Sequence, residues 1–414
     1  MQTGWVMRYL LALCILVVGC AAADAAEVDQ KPGTEFRVTP QDLPPLNATE
    51  SVGNRADRIK RPANATLRVP PGFRANLFAG GLTGPRWMAV AENGDVLVSE
   101  SRAGKITLLR DSDGDGDVDF HWTLIDGFNR PHGLAIHGDH LYVADIRRVW
   151  RVPYRAGDTT LDAPPQPVTD AGVIGDGHGH WTRNIAIAPD GGHFYVTIGS
   201  AGNIDEEPLP RASVQRFRAD GSGQETFASG LRNPVGIAFY PGTDDLYVVV
   251  NERDGMGDEL VPDYLTRLEP GGFYGWPYAY IGSHPQPGFA DRRPDLVKRA
   301  IVPDLLFRSH SAPLGLVFYD GDQFPEAYRG DAFVALHGSW NAATPRGYMV
   351  VRVPFEDGRP VGDYEIFASG FWRQGDDPAE VWGRPVGLAV AADGSLLIAD
   401  DWGNAVWRVS YGGE

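Results

Sequence analysis

The chain has 414 residues, is 43% hydrophobic and 22% charged, and carries a formal net charge of −17. This is the composition of a globular protein, which excludes a disordered or collagen-like chain. The acidity leaves no clustered cations for duplex DNA, so no nucleic-acid partner is expected, and no basic patch for an anionic bilayer.

In chain order, Arg8 precedes an apolar run over residues 9–18, too short to span a bilayer and of the length of a signal h-region. Val17-Val18-Gly19-Cys20 is similar to a bacterial lipobox with Cys20 as the acylated residue, while Ala23-Asp24-Ala25 offers an ordinary cleavage site. Residues 1–26 are read as an export segment, with the periplasm as destination and a lipid anchor at Cys20 as the one membrane attachment. The two cysteines, Cys14 and Cys20, both lie in that segment. The exported chain then has no thiol for a disulfide, an iron–sulfur cluster or a c-type haem. Residues 27–66 form a polar lead-in with Pro32, Pro40, Pro44, Pro45 and Pro62, a linker or a segment laid over the surface.

Residues 67–414 are organised by an internal repeat. The first copy runs Pro85-Arg86-Trp87-Met88-Ala89-Val90, turns at Asn93-Gly94-Asp95 and returns through residues 96–100. Later copies open at Pro131, Thr182, Pro234, Pro313 and Pro385, each followed by a second apolar strand and in most cases a third. One such small sheet, rich in β-branched and aromatic residues, cannot bury both of its faces. Six of them packed around an axis can, so the expected fold is all-β, a six-bladed β-propeller. The last copy ends with three strands, and residues 72–79 are expected to complete that blade from the N-terminal side.

Asp111, Asp113, Asp115 and Asp117 alternate with small residues at a predicted hairpin tip. Hard oxygen ligands in that pattern suit calcium, and equally a solvated acidic turn. The loop is not a complete EF-hand, because its twelfth position is Trp122.

Function on a propeller belongs to the loops at one end of the central channel. There, residues 178–191 (from His178-Gly179-His180-Trp181-Thr182-Arg183-Asn184), Leu231-Arg232-Asn233-Pro234, residues 271–278, His337-Gly338-Ser339-Trp340-Asn341 and Gly383-Arg384-Pro385 resemble stretches of the soluble quinoprotein glucose/sorbosone dehydrogenases, in the same order. The resemblance implies pyrroloquinoline quinone (PQQ) and calcium as cofactors, a small sugar as substrate, and an external electron acceptor, a cytochrome or a quinone. It implies His180 as the base that takes the substrate hydroxyl proton, Arg232, Asn233 and Arg384 as cofactor contacts, and the main-chain carbonyls of Gly255 and Met256 as calcium ligands. The chain departs from the family pattern at several places. Ser200 stands where an acidic residue orients the base, with Asp205, Glu206 or Glu207 as substitutes. Phe128 replaces a glutamine, with His132 nearby to face the channel instead. A second cofactor arginine is replaced near Trp382, and a lysine has no match, its place being surrounded by His337, Trp340, Asn341 and Arg346. Two other readings stay open, a calcium-dependent lactonase-type hydrolase and a non-catalytic envelope binding propeller.

Overall fold

The computed structural model describes residues 30–413 together with Met1. The segment expected to direct export, with Cys14 and Cys20, lies outside the described residues apart from Met1. The described chain is nearly all β. Among these residues the one α-helix is the single turn Pro294–Arg299, and it buries no side chain.

Six sheets of four or five strands carry the repeat among the described residues. Their first strands are Pro85–Val90, Gly133–His137, Ile185–Ile187, Asn233–Phe239, Pro313–Phe318 and Pro385–Val390. Each lies beside the first strand of the next sheet, and Pro385–Val390 returns to Pro85–Val90. Consecutive strands of a sheet run antiparallel, as with Val96–Glu100, Lys105–Arg110 and Phe120–Asp126 after Pro85–Val90, while Gly272–Phe273 adds in parallel to the outer strand Glu225–Ser229 of the third sheet.

The Pro-x-Gly signature of the later copies has a steric cause. A Cβ on Gly315 would sit 2.1 Å from the Val386 oxygen, and one on Gly387 would sit 2.3 Å from the Arg86 oxygen. Only glycine lets neighbouring backbones approach this closely. The third copy solves the problem differently. Asn184 occupies the glycine position, its amide donates to the Val235 oxygen at 3.1 Å, and the strand there shortens to Ile185–Ile187.

The spaces between sheets are filled by alternating apolar residues. Between the fifth and sixth sheets, Phe333, Val350, Leu388, Ile398 and Trp407 are buried in one cluster. Each such side chain contributes roughly 1.5–3 kcal/mol of burial. Phe73–Ala79 pairs antiparallel with Ala405–Tyr411, Phe73 opposite Tyr411 and Leu77 opposite Trp407. Phe73 also makes edge-to-face contacts with Phe324 and Phe367, ring centroids 4.8 and 5.1 Å away.

The lead-in lies against the sheets. Glu35–Phe36 adds to the edge of the fifth sheet and Asp57–Arg58 pairs with Glu380–Val381. Between them, Asn47 N donates to the Met256 oxygen and Asn54 N to the Trp340 oxygen.

Candidate functional site

Antiparallel pairing puts the start of each first strand next to the end of each second strand, as Asn233 pairs with Asn251. The residues at these junctions converge on a cavity of about 270 Å³, near the small end of ligand sites, roughly 300–1,000 Å³. His180, Arg232, Asn233, His337 and Arg384 all line it. A larger open groove of about 780 Å³ lies between the lead-in and the sixth sheet, and among the described residues no histidine or carboxylate lines it.

His180 is held by one residue. Its Nδ1 is 2.9 Å from the Ser200 main-chain oxygen and 3.0 Å from the Ser200 hydroxyl. A carbonyl only accepts, so Nδ1 carries the proton and Nε2 keeps its lone pair. The Ser200 hydroxyl donates to the Gly202 oxygen, which leaves it an acceptor toward Nδ1. Burial, reinforced by Arg232, pushes the imidazole down to about 4, so it is neutral at pH 7. The acidic neighbours serve elsewhere. Glu207 accepts from Ala201 N and Gly202 N, and Glu206 from the Tyr278 hydroxyl and Arg292. No carboxylate of residues 205–207 touches His180 among the described residues.

Arg232 is committed within the protein. Its Nε and Nη2 donate to the oxygen and Oδ1 of Asn203, its Nη1 to the Glu252 oxygen at 2.6 Å, and its Nη2 also reaches Asp254 at 3.3 Å. Trp276 Nε1, from the aromatic stretch 271–278, donates to the same Asn203 oxygen. That stretch braces the loop that fixes Arg232. Arg384 donates from Nε to the His337 oxygen at 2.8 Å and from Nη2 to the Gly338 oxygen, and lies 4.9 Å over the Trp402 ring. Its Nη1 makes no protein hydrogen bond among the described residues. Asn233 Oδ1 is buried without a partner.

His337 Nε2 donates to Asp401 at 3.0 Å, and Arg86 Nη1 donates to the other oxygen of Asp401 at 2.7 Å. Burial opposes the charge on Asp401, but His337, Arg86 and Arg384 outweigh it and hold the carboxyl well below its usual range.

His132 does not face the cavity. It is fully buried with neither ring nitrogen bonded, 5.7 Å from the Trp87 ring and 5.6 Å from the Trp181 ring. Phe128, in the place of a polar contact, is core. His132 thus lies between two indoles and outside the cavity lining. Arg346 is likewise structural, paired with Asp258 at 2.8 Å and with Glu259.

Several groups in the cavity wall carry no signal in a single sequence beyond a carboxyl-rich loop after an apolar strand. Glu252 is 4% exposed with Oε1 unpartnered, and burial pushes it up to about 7. Asp263 accepts from Glu252 N and Ala312 N, and burial raises it to about 6. Asp254 accepts from Asn341 Nδ2 at 2.8 Å, with His310 Nδ1 3.6 Å away. Of the two carbonyls at the loop tip, that of Met256 accepts from Asn47 N, while that of Gly255 is unbonded among the described residues.

The acidic hairpin is separate. Asp111, Asp113 and Asp115 bring carboxylate oxygens within 4.8 Å of one another. Asp117 stands outside this group and accepts from Asn76 Nδ2. None of the four lines the cavity.

Comparison with known proteins places this geometry in a family. The family described as TrAA12-like matches residues 67–271 and 293–411, interrupted only across the segment that holds the helix turn's approach. The pyrroloquinoline quinone-dependent pyranose dehydrogenase of Coprinopsis cinerea is 27% identical over 417 residues, covering 83% of this chain and 54% of that protein. This chain thus spans about half the length of that curated relative. The holo form of the PQQ domain of pyranose dehydrogenase from the same fungus superposes with a TM-score of 0.72 at 22% identity, over 85% of this chain and 98% of that one. The calcium structure of the Trichoderma reesei Carbohydrate-Active Enzymes Family AA12 protein superposes with a TM-score of 0.70 at 20% identity, over 86% and 99%. With its sheets, its cavity and a family match over most of its length, the chain belongs to the TrAA12-like family, among the soluble PQQ sugar dehydrogenases.

Proposed function

We propose that the protein is a PQQ- and calcium-dependent dehydrogenase oxidising an aldose or a sugar-derived aldehyde, on a six-bladed β-propeller whose last blade takes its outer strand from residues 73–79. The observation that carries the reading is His180, a neutral imidazole whose proton is pinned on Nδ1 by Ser200 and which lines a cation-bearing cavity. A protein similar to this chain is named for PQQ and pyranose, and a similar solved structure is a calcium structure.

The residues suit both groups. Three carboxylates on PQQ call for cations, and Arg384 keeps one nitrogen free of protein acceptors. Asn233 Oδ1 and Glu252 Oε1 are buried without partners, the state of groups whose partner is a ligand. For calcium the donors are hard oxygens, with the unbonded Gly255 carbonyl first and Met256 sharing its oxygen with Asn47. Bound PQQ would supply a two-electron acceptor, and calcium the polarisation of its carbonyl. The chain's own part is to take the substrate hydroxyl proton on His180 Nε2, with the ring kept in one tautomer by Ser200. Electrons leave through an external acceptor, a cytochrome or a quinone. The export segment and Cys20 support a periplasmic site of action, with or without a lipid anchor.

Reconstitution tests this. The purified chain with PQQ and calcium should quench tryptophan emission and reduce a dye in the presence of aldoses. Absence of PQQ binding at micromolar concentration would overturn the reading. A second reading, calcium-dependent lactone hydrolysis, draws on Glu252, Asn233 and Asn251 meeting in one cavity. It requires lactone opening without any quinone.

A further inference from the structure

Arg130 is a cation without an anion. Among the described residues it forms no ion pair and no hydrogen bond, and its guanidinium sits 3.9 Å over the Trp181 ring. Its backbone is left-handed, φ 53°, a strained conformation for a non-glycine residue and one that clusters at functional sites. Arg86 approaches the same indole at 5.2 Å. Arg86 Nε is buried without a partner, and its Nη1 is engaged by Asp401.

The corner adjoins the cavity twice. Trp181 follows His180 in the chain, and Asp401 bridges Arg86 to His337, which lines the cavity. Arg86 and Arg384 share the one carboxylate of Asp401, while Arg130 has the cation of Arg86 as its charged neighbour, in a chain of net charge −17. A guanidinium stacked on an indole has its face covered and its in-plane N–H groups free, the geometry that receives a carboxylate.

We propose that Arg130, mounted on Trp181 beside Arg86, recognises a carboxylate on the substrate and gives the site a preference for acidic sugars, the uronic acids. This specificity rests on the sugar-dehydrogenase reading. Arg130→Gly removes the cation and suits the left-handed backbone, so the variant should fold. Arg130→Lys keeps the charge and loses the planar fork.

The test compares D-galacturonate with D-galactose on the PQQ- and calcium-loaded protein, with PQQ titrated into each variant by tryptophan quenching. The expected result for Arg130→Gly is a KM for galacturonate raised at least tenfold, an unchanged KM for galactose and unchanged PQQ affinity. Arg130→Lys should lie between. Equal changes for both sugars, or none, overturn the proposal. A tenfold loss of PQQ affinity also overturns it, by assigning the carboxylate to the cofactor. Should the wild type neither bind PQQ nor turn over, the dehydrogenase reading fails by itself. Equilibrium binding of the two sugars to wild type and Arg130→Gly then decides, a galacturonate preference lost in the variant sustaining the carboxylate site and equal binding removing it.

Discussion

His180 Nδ1 lies 2.9 Å from the main-chain oxygen of Ser200, so the imidazole is oriented by backbone and not by a carboxylate. Ser200 is itself fixed, its N donating to the Arg232 oxygen at 2.8 Å. The orientation of the base is thereby tied to the strand entry that carries Arg232 and Asn233.

Two substitutions separate the roles of this pair. His180→Ala should lower kcat by about 10²–10⁴ while PQQ quenching persists. Ser200→Ala keeps the carbonyl acceptor and should cost less than about tenfold. A Ser200→Ala loss as large as that of His180→Ala would show that the hydroxyl, not the carbonyl, sets the tautomer.

The pH profile follows from the same burial. A base acts when unprotonated, and His180 is depressed to about 4. The acid limb of kcat/KM should therefore lie well below pH 6.5, toward 4, with no inflection at the ordinary histidine value. A limb centred at 6–7 would mean that another group, such as Glu252, limits the rate.

Asp400 makes stability depend on pH in the opposite sense to most carboxylates. It is fully buried, and burial raises it to about 7. Between the unfolded value near 4 and about 7 the folded chain holds a proton that the unfolded chain has lost. Stability should fall as pH rises through this window and level off above it. Asp400→Asn keeps the Oδ1 acceptor used by Arg384 N and Gly403 N. It should flatten the dependence and gain on the order of 2–4 kcal/mol at pH 8, read by denaturant titration at pH 5 and pH 8.

Glycine position decides tolerance. Gly387→Ala drives a Cβ into the Arg86 oxygen and should cost more than about 3 kcal/mol or prevent folding. Gly271→Ala meets nothing within 4 Å, and its positive φ alone should cost about 1 kcal/mol. Phe73→Ala, on the strand that joins the two ends of the repeat, should cost about 3–5 kcal/mol. Denaturation midpoints of the three variants check the order.

The repeat was legible because each copy carries its own turn and its own alternation, both local properties. Pro85–Val90 and Pro385–Val390 form strands over the residues that the pattern marks. Partners across the cavity were not legible, because they depend on which sheets face each other. Nothing local says that Arg86 and His337 share Asp401, 315 and 64 residues away from them. The same limit misplaced His132, whose polar type suggests a channel and whose neighbours, Trp87 and Trp181, enclose it. Arg232 lines the cavity, yet its donors are taken by Asn203, Glu252 and Asp254. Only side-chain geometry shows that it shapes the wall more than it offers hydrogen bonds.

The lead-in has a consequence for where the folded unit begins. A chain started at Leu67 would retain all six first strands. It would lose the bonds that Asn47, Thr49, Ser51 and Asn54 make to Met256, Asp258, Gly257 and Trp340. Of those four partners Trp340 lines the cavity, and the other three follow the unbonded Gly255 carbonyl in the chain. Trimming the start would therefore spare the architecture and loosen the mouth of the site, so that a truncated form could keep its strand content and lose its ligand.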